Sequence, residues 1–335
     1  MLEYKYFKEI AKEKVMEYLP PELQERGLIF STTEKVNTTY DALTLTNIGI
    51  PGEAVPAINM NLMYDSYVRT GDLDQVCERA ANTMQEALNT AKNIRINFDM
   101  DFEGVKDKIC YKLVNREANA ELLEHVPNTP YLDLNYVYYI VVENNEDCLQ
   151  TCLIKDGMAE KLGVTTEQLH SIAQENTRKM FPEKILEMRA VLMELYDSKG
   201  IELDDEELQD LQQEDFHNMI VISSTRGKNG AVLMTDPEVR QQVFDKIGGD
   251  FYMCFSSIHE CIAMPTSSMD PDTFAVVVHD VNMCNVDLCE RLSNQVYYGN
   301  AKENTLTCAT NTIYKSIKED RDVSVFRRTE PKMSI

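Results

Sequence analysis

Apolar positions recur with a helical period at the start of the chain, so residues 3–19 predict an amphipathic helix, stopped by Pro20 and Pro21. Residues 28–46, LIFSTTEKVNTTYDALTLT, then change to a β-rich pattern on both sides of Asn37 and predict a hairpin. Gly49, Pro51, Gly52 and Pro56 mark a loop, and residues 61–69 a short helix ending before Gly71. The strongest helical stripe lies in residues 72–92, where Leu73, Val76, Cys77, Ala80, Met84, Ala87, Leu88 and Ala91 share one face. A short helix near 102–107, a strand over 108–114 and a short helix over 117–124 follow. Pro127 and Pro130 suggest a division into an N-terminal α+β region, 1–126, and a C-terminal α+β region, 127–300. Residues 301–335 form a weakly patterned tail.

The longest strand expected is YLDLNYVYYIVVE, residues 131–143, apolar on both faces from Tyr136 onward and therefore central and buried. Residues 148–154 pair with it across a turn at Asn144 and Asn145. Thr165 and Gln168 form a capping-box pattern at the start of a helix whose buried face carries Leu169, Ile172, Ala173 and Met180. Asn176 falls on that same face and needs a partner inside. Residues 183–197 predict a helix through Ile185, Met188, Leu192 and Leu195. Strand 219–224, the turn RGKNG and strand 231–234 predict a hairpin. Asp236-Pro237 opens a helix that Gly248-Gly249 closes. Residues 251–265, FYMCFSSIHECIAMP, read as two short strands around a polar knot. A helix capped by Asp270-Pro271 runs to about 284 with Phe274, Val277, Val278 and Val281 on its apolar face, and a last strand covers 294–298. Hairpins without sustained βαβ alternation predict an α+β protein, with mixed, largely antiparallel sheets covered by amphipathic helices.

Composition narrows the function. No apolar run approaches the ~20 residues that span a bilayer, and the N-terminus lacks the apolar core of a secretory signal, so no membrane association and a cytoplasmic location are expected. Nine cysteines without a CxxC pair read as buried small hydrophobes in a reducing compartment. The formal charge of −23 argues against direct nucleic-acid binding, which needs a basic face. Eight carboxylates without a base crowd into residues 202–215, an acidic, solvated connector that lacks the glycine of a calcium loop.

The polar knot, Ser256, Ser257, His259 and Glu260, carries the densest reactive chemistry. A zinc-hydrolase helix needs a second histidine one turn on, where Ala263 stands. His259 remains a candidate base beside Ser256 or Ser257, with Cys254 and Cys261 as alternative nucleophiles. On a strand, Ser257, His259 and Cys261 share one face. The competing reading is a histidine and hydroxyls that satisfy backbone groups at a strand-to-strand turn. A second candidate is the loop Arg226-Gly227-Lys228-Asn229-Gly230, whose glycines and lysine could cradle phosphate but which lacks the Walker pattern and reads first as a plain hairpin turn. Asp133, Asn135 and Glu143 on the long strand form a third, as acid–base or metal-binding carboxylates or as structural strand-end groups. His125, His170, His217 and His279 have no ligand-like neighbours at fixed spacing, and neither a metal nor a cofactor is expected.

The ordered set VKDKICYKLVN (105–115), YLDLNYVYYIVVEN (131–144), GVTTEQLHSIAQENT (163–177), SSIHECIAMP (256–265) and VNMCNVD…RLSNQVYYG (281–299) resembles domain-of-unknown-function family 5688, an uncharacterised bacterial family met in mobile elements. In that family the segment matching 256–260 reads Ser-Ser-x-His-Glu, which this chain keeps. Leu162 stands where the family usually has a tryptophan, and Ser224-Thr225 with Gly230 match in part the family's strand that ends in Thr-Asn before a glycine. The resemblance implies no activity. Three functions are therefore expected, in this order: a non-enzymatic regulatory or protein-binding module carried as accessory cargo, with a protein partner; a hydrolase or transferase built on residues 256–260; and an acidic mimic of nucleic acid.

Overall fold

The computed structural model describes residues 1–46, 56–93, 101–144, 149–201, 218–310 and 316–318. It divides into two compact units, Met1–Asn97 and Phe98–Ile335.

In the first unit, helix α1 (Tyr4–Tyr18) and the short α2 (Pro21–Gln24) precede the hairpin β1 (Leu28–Lys35) and β2 (Thr38–Leu45). Asn37 makes the turn at φ 63°, a left-handed conformation that asparagine tolerates. Strand β3 (Ala57–Asn59) pairs with β2 and runs into α3 (Met60–Thr70), where the Asn59 side chain accepts the N–H groups of Asn61 and Leu62. Gly71 closes α3, and α4 (Leu73–Asn93) follows. Phe7, Ala11 and Val15 of α1 pack with Leu43, Met63, Tyr67, Cys77 and Met84 in one core. Val76, Cys77, Ala80, Met84 and Leu88 of the expected stripe are buried.

The second unit begins with α5 (Phe102–Val105), β4 (Ile109–Asn115), α6 (Ala120–Leu123), β5 (Asn128–Tyr131), β6 (Leu134–Asn144) and β7 (Leu149–Leu153). Strand β6 pairs with β4 on one edge and with β5 and then β7 on the other, all antiparallel. Helices α7 (Asp156–Leu162) and α8 (Thr166–Met180) lead to β8 (Glu183–Glu187), α9 (Met188–Lys199) and β9 (Ile220–Ser224). Helix α10 (Pro237–Ile247), β10 (Phe251–Cys254), β11 (Glu260–Pro265), α11 (Pro271–Asn285), β12 (Val296–Asn300) and β13 (Thr305–Cys308) complete it. A second antiparallel sheet runs in the order β13-β12-β10-β11-β9-β8.

Alternation sorts the side chains of this sheet. Ile220, Ile222, Met253, Phe255, Cys261, Ala263 and Tyr297 face one way and join Tyr111, Tyr136 and Tyr138 of the first sheet, Leu169 of α8 and Phe244 of α10. Cys254, Met264 and Val296 face the other way, against Phe274, Ala275 and Val278 of α11. The fold is α+β with open, antiparallel sheets, as the pattern predicts.

Four local expectations change. The boundary expected at 126/127 falls inside the second unit, between β4 and β6, which pair from Ile109↔Ile140 to Asn115↔Leu134. Residues 183–187 are a strand rather than the first turn of a helix. Ile185 lies opposite Ile222, and pairing with β9 overrides the helical spacing. Residues 231–235 form a 3₁₀ turn with Ala231, Val232, Leu233 and Met234 buried, so the second hairpin does not form. In α11 the buried stripe is Phe274, Ala275, Val278 and Asn282, while Val277 and Val281 are exposed. The connector 202–215 and most of the tail lie outside the described residues.

Asn176 behaves as its position demands. Its amide donates to the carbonyls of Lys106 (2.7 Å) and Ile109 (2.9 Å), anchoring α8 on the start of β4. The capping box at Thr165 and Gln168 is also present.

Candidate functional site

Residues 255–259 connect β10 to β11, and the extended run resumes only at Glu260. The Ser257 hydroxyl breaks the run by accepting the N–H groups of His259 (3.1 Å) and Glu260 (3.3 Å). Ser257 also forms an isolated bridge with Arg291. The expected common face of Ser257, His259 and Cys261 therefore does not arise, because Ser257 and His259 belong to a turn.

Both ring nitrogens of His259 are engaged. Nδ1 accepts the Asn229 backbone N–H at 3.3 Å, and Nε2 lies 3.1 Å from Glu290 Oε1. With Nδ1 accepting, the neutral ring carries its proton on Nε2 and presents it to the Glu290 carboxylate. The His259 side chain keeps 29% of its accessibility, so the pair is reachable from solvent. Among the described residues, neither serine hydroxyl is hydrogen-bonded to the ring. Burial raises the Glu260 carboxyl above its ordinary value, with His259 pulling weakly the other way. Burial also pushes the Cys254 thiol up to about 11 and the Cys261 thiol well above its ordinary value, which suppresses the thiolate a nucleophile needs.

The second candidate, the loop 226–230, is packed against the first. The Gly230 N–H donates to the His259 carbonyl (3.0 Å), the Ala231 N–H to the Ile258 carbonyl (3.3 Å) and the Ser223 hydroxyl to the His259 carbonyl (2.9 Å). A Cβ at Gly230 would stand 2.5 Å from the His259 oxygen and the Ser223 carbonyl carbon, and closer still to the Ser224 nitrogen. Only glycine permits that approach. Asn229, at φ 53°, donates from its amide to the Tyr139 hydroxyl of β6 (3.2 Å), tying the loop to the first sheet.

The third candidate divides. Glu143 lies at the far end of β6 from Asp133 and is exposed. Asn135 accepts from Arg116 Nε (2.8 Å) and donates to Asn128 (2.8 Å). Asp133 sits in the turn before β6, where its two oxygens accept the Tyr297 hydroxyl (2.5 Å) and the Ser293 hydroxyl (2.7 Å). It belongs to a buried polar network that the sequence pattern does not single out. In this network Arg291, Ser293 and Asn294 are almost inaccessible, Asn282 of α11 donates to the Ser293 carbonyl (3.0 Å) and to Asn294 Oδ1 (2.7 Å), and Asn115 donates to the Leu292 carbonyl (2.7 Å). The signal in the sequence is the polar cluster Arg291, Ser293, Asn294 and Gln295 set directly before the apolar strand residues Val296 and Tyr297.

The sequence pattern does not single out Lys112 of β4 either. Lys112 is half-buried, its ammonium has no hydrogen-bond or ion-pair partner among the described residues, and burial lowers that ammonium below the ordinary lysine range. His170 lies among Tyr111, Tyr136 and Tyr138, with Nδ1 3.1 Å from the Tyr138 hydroxyl. His125 is exposed and His279 is half-buried beside Asp280, while His217 lies outside the described residues. Among the described residues no group of three His, Cys, Asp or Glu side chains could hold a metal ion, and no helix is long and apolar enough to cross a membrane.

No curated protein and no solved structure matches the chain. A protein-family model does, over residues 4–300, and those residues include most of both compact cores, the turn at 256–260 and the network around Asp133. The chain belongs to the family of unknown function DUF5688.

Proposed function

We propose that the chain is a non-enzymatic protein-binding module that works in the cytoplasm, and that Ser256, Ser257, His259 and Glu260 form a structural turn at its centre. The observation that carries this reading is the engagement of both His259 ring nitrogens, one by the Asn229 N–H and one by Glu290. A general base needs a free lone pair within hydrogen-bond reach of its nucleophile. The Ser257 oxygen is likewise occupied by two backbone donors. Free cysteines throughout the described residues support a reducing compartment. Exposed Val276, Val277 and Val281 on α11 supply apolar surface of the kind interfaces use.

The test is turnover. Purified chain, incubated with ester, phosphoester and peptide substrates, is expected to match the buffer blank, and His259→Ala to change stability alone. Turnover that His259→Ala abolishes in a folded protein overturns the reading.

The solvent-reachable His259–Glu290 pair favours one alternative, a hydrolase or transferase in which substrate binding displaces the Asn229 N–H from Nδ1. That alternative requires Glu290→Gln to lower turnover as His259→Ala does.

A further inference from the structure

Arg291 and Asn294, both buried in the polar network, reach out of it to main-chain carbonyls of a three-residue segment, Ser316–Lys318. Asn294 Nδ2 donates to the Ser316 carbonyl at 2.9 Å, and Arg291 Nη1 to the Ile317 carbonyl at 3.1 Å. Ile317 is 1% exposed, while Ser316 and Lys318 are exposed. The segment bends on itself, its Ser316 hydroxyl accepting the Lys318 N–H at 3.2 Å, and is held by two successive carbonyls and one apolar anchor. Asn294 is itself oriented from behind, since its Oδ1 accepts from the fully buried Asn282. A recess of about 110 Å³ remains beside the segment, lined by Asn115, Glu117, Ala118 and the segment's own Ser316, Ile317 and Lys318.

We propose that this cleft is a peptide-recognition site occupied in cis by Ser316–Lys318, and that its partner is a basic segment of another protein, an aliphatic residue followed by lysine or arginine. Three features carry the inference. The donors read carbonyls, which every peptide offers, so the cleft does not depend on the identity of its present occupant beyond the anchor. The recess is lined by the exposed Glu117 as well as by Lys318, and a carboxylate there suits a basic side chain. The formal charge of −23 draws basic segments toward the chain as a whole. The proposal rests on the reading of the chain as a protein-binding module and gives that reading a site and a partner chemistry.

The experiment is a fluorescence-anisotropy titration of a labelled peptide with the sequence of residues 312–318, Thr-Ile-Tyr-Lys-Ser-Ile-Lys. The full chain is compared with Ile317→Asp, which expels the internal anchor. The internal segment competes at an effective concentration on the order of millimolar, so Ile317→Asp is expected to bind the peptide at least ~10-fold more tightly than the parent. Adding Asn294→Leu removes the donor to the segment's carbonyl together with the acceptor for Asn282, and in a chain shown folded by circular dichroism it is expected to weaken binding about 10-fold. A peptide with aspartate in place of its anchor isoleucine is expected not to bind. A chain ending at Thr310 frees the cleft without placing a charge at the anchor position and serves if Ile317→Asp does not fold.

Equal affinity of the parent and Ile317→Asp, or no binding by either freed form, overturns the proposal. So does a concentration-dependent dimer that exchanges the segment between copies, since the occupant would then be a second copy. Hydrolysis dependent on His259 would refute the non-enzymatic reading and leave this titration unaffected, so the two failures are distinguishable.

Discussion

Replacing Gly230 by alanine tests the joint on which the central turn depends. A methyl group there meets three backbone atoms, the Ser224 nitrogen, the His259 oxygen and the Ser223 carbonyl carbon, all within 2.5 Å. None can rotate away as a side chain could, so β9 or the 255–259 connection must move by roughly 1 Å to restore contact distance. That movement breaks the bonds from the Gly230 N–H to the His259 carbonyl, from the Ala231 N–H to the Ile258 carbonyl and from the Asn229 N–H to the ring. Three hydrogen bonds at ~1 kcal/mol each, or the overpacking scale of 1–3 kcal/mol taken at its upper end, agree on a loss of about 3 kcal/mol. Loss of the glycine's freedom in the unfolded chain returns about 0.4–1 kcal/mol, leaving a net loss of about 2–3 kcal/mol. At about 2–4 °C per kcal/mol this lowers Tm by roughly 4–12 °C. Denaturant and thermal unfolding followed by circular dichroism measure it. Gly157→Ala is the control, because a methyl group there meets nothing within 4 Å and lies in the first turn of α7. It is expected to be neutral or stabilising by up to ~1 kcal/mol. A Gly230→Ala protein within 0.5 kcal/mol of the parent, on the ~1 kcal/mol scale of one hydrogen bond, would refute the packing of the loop against His259.

Three further outcomes follow from the same geometry. Glu260→Gln is expected to raise Tm at pH 7, because burial raises the folded-state value of this carboxyl. The folded state then holds the proton more tightly than the unfolded chain, stability falls as pH rises above the unfolded value of about 4.3, and the gain from the amide disappears below it; a gain that grows in acid refutes this. Tyr297→Phe removes a hydroxyl bonded to the Asp133 carboxylate and is expected to cost about 1.5–3 kcal/mol, with coupling to Ser293→Ala in a double-mutant cycle; additive effects would show that the carboxylate does not link them. Lys112→Met removes a desolvated cation and is expected to raise Tm near neutral pH, the gain fading as pH approaches the ordinary lysine value of about 10.4; Tm profiles of parent and variant from pH 6 to 10.5 decide it.

The sequence carried the fold wherever one element decides its own state. The hairpin around Asn37, the capping box at Thr165, the proline-led helices after Asp236 and Asp270 and the long β6 are all local signals, and all are present. It misled where a distant partner decides. Glu183–Glu187 becomes a strand because β9 offers an edge, and residues 231–235 turn away from a hairpin because Gly230 locks onto the His259 carbonyl from another part of the chain. Periodicity alone favoured Val277 and Val281 over Asn282 as buried, since it does not reveal that Ser293 and Asn294 wait opposite with polar partners. The same holds at the site. The residues of the 256–260 knot were legible as a cluster, but Asn229 and Glu290, which decide what His259 can do, lie about thirty residues away on either side. Asp133 was legible as a strand-end acid, and its partners Ser293 and Tyr297 were not, because their separation in sequence is 160 and 164 residues.

The engagement of His259 is open to direct observation by ¹⁵N-resolved imidazole spectroscopy on the labelled chain, with His259→Gln to assign the signal. The geometry predicts a single neutral tautomer, protonated at Nε2 against Glu290, with Nδ1 unprotonated and accepting a hydrogen bond. A ring protonated at Nδ1, or one exchanging freely between tautomers, would contradict the structural role of the turn and restore His259 as a base.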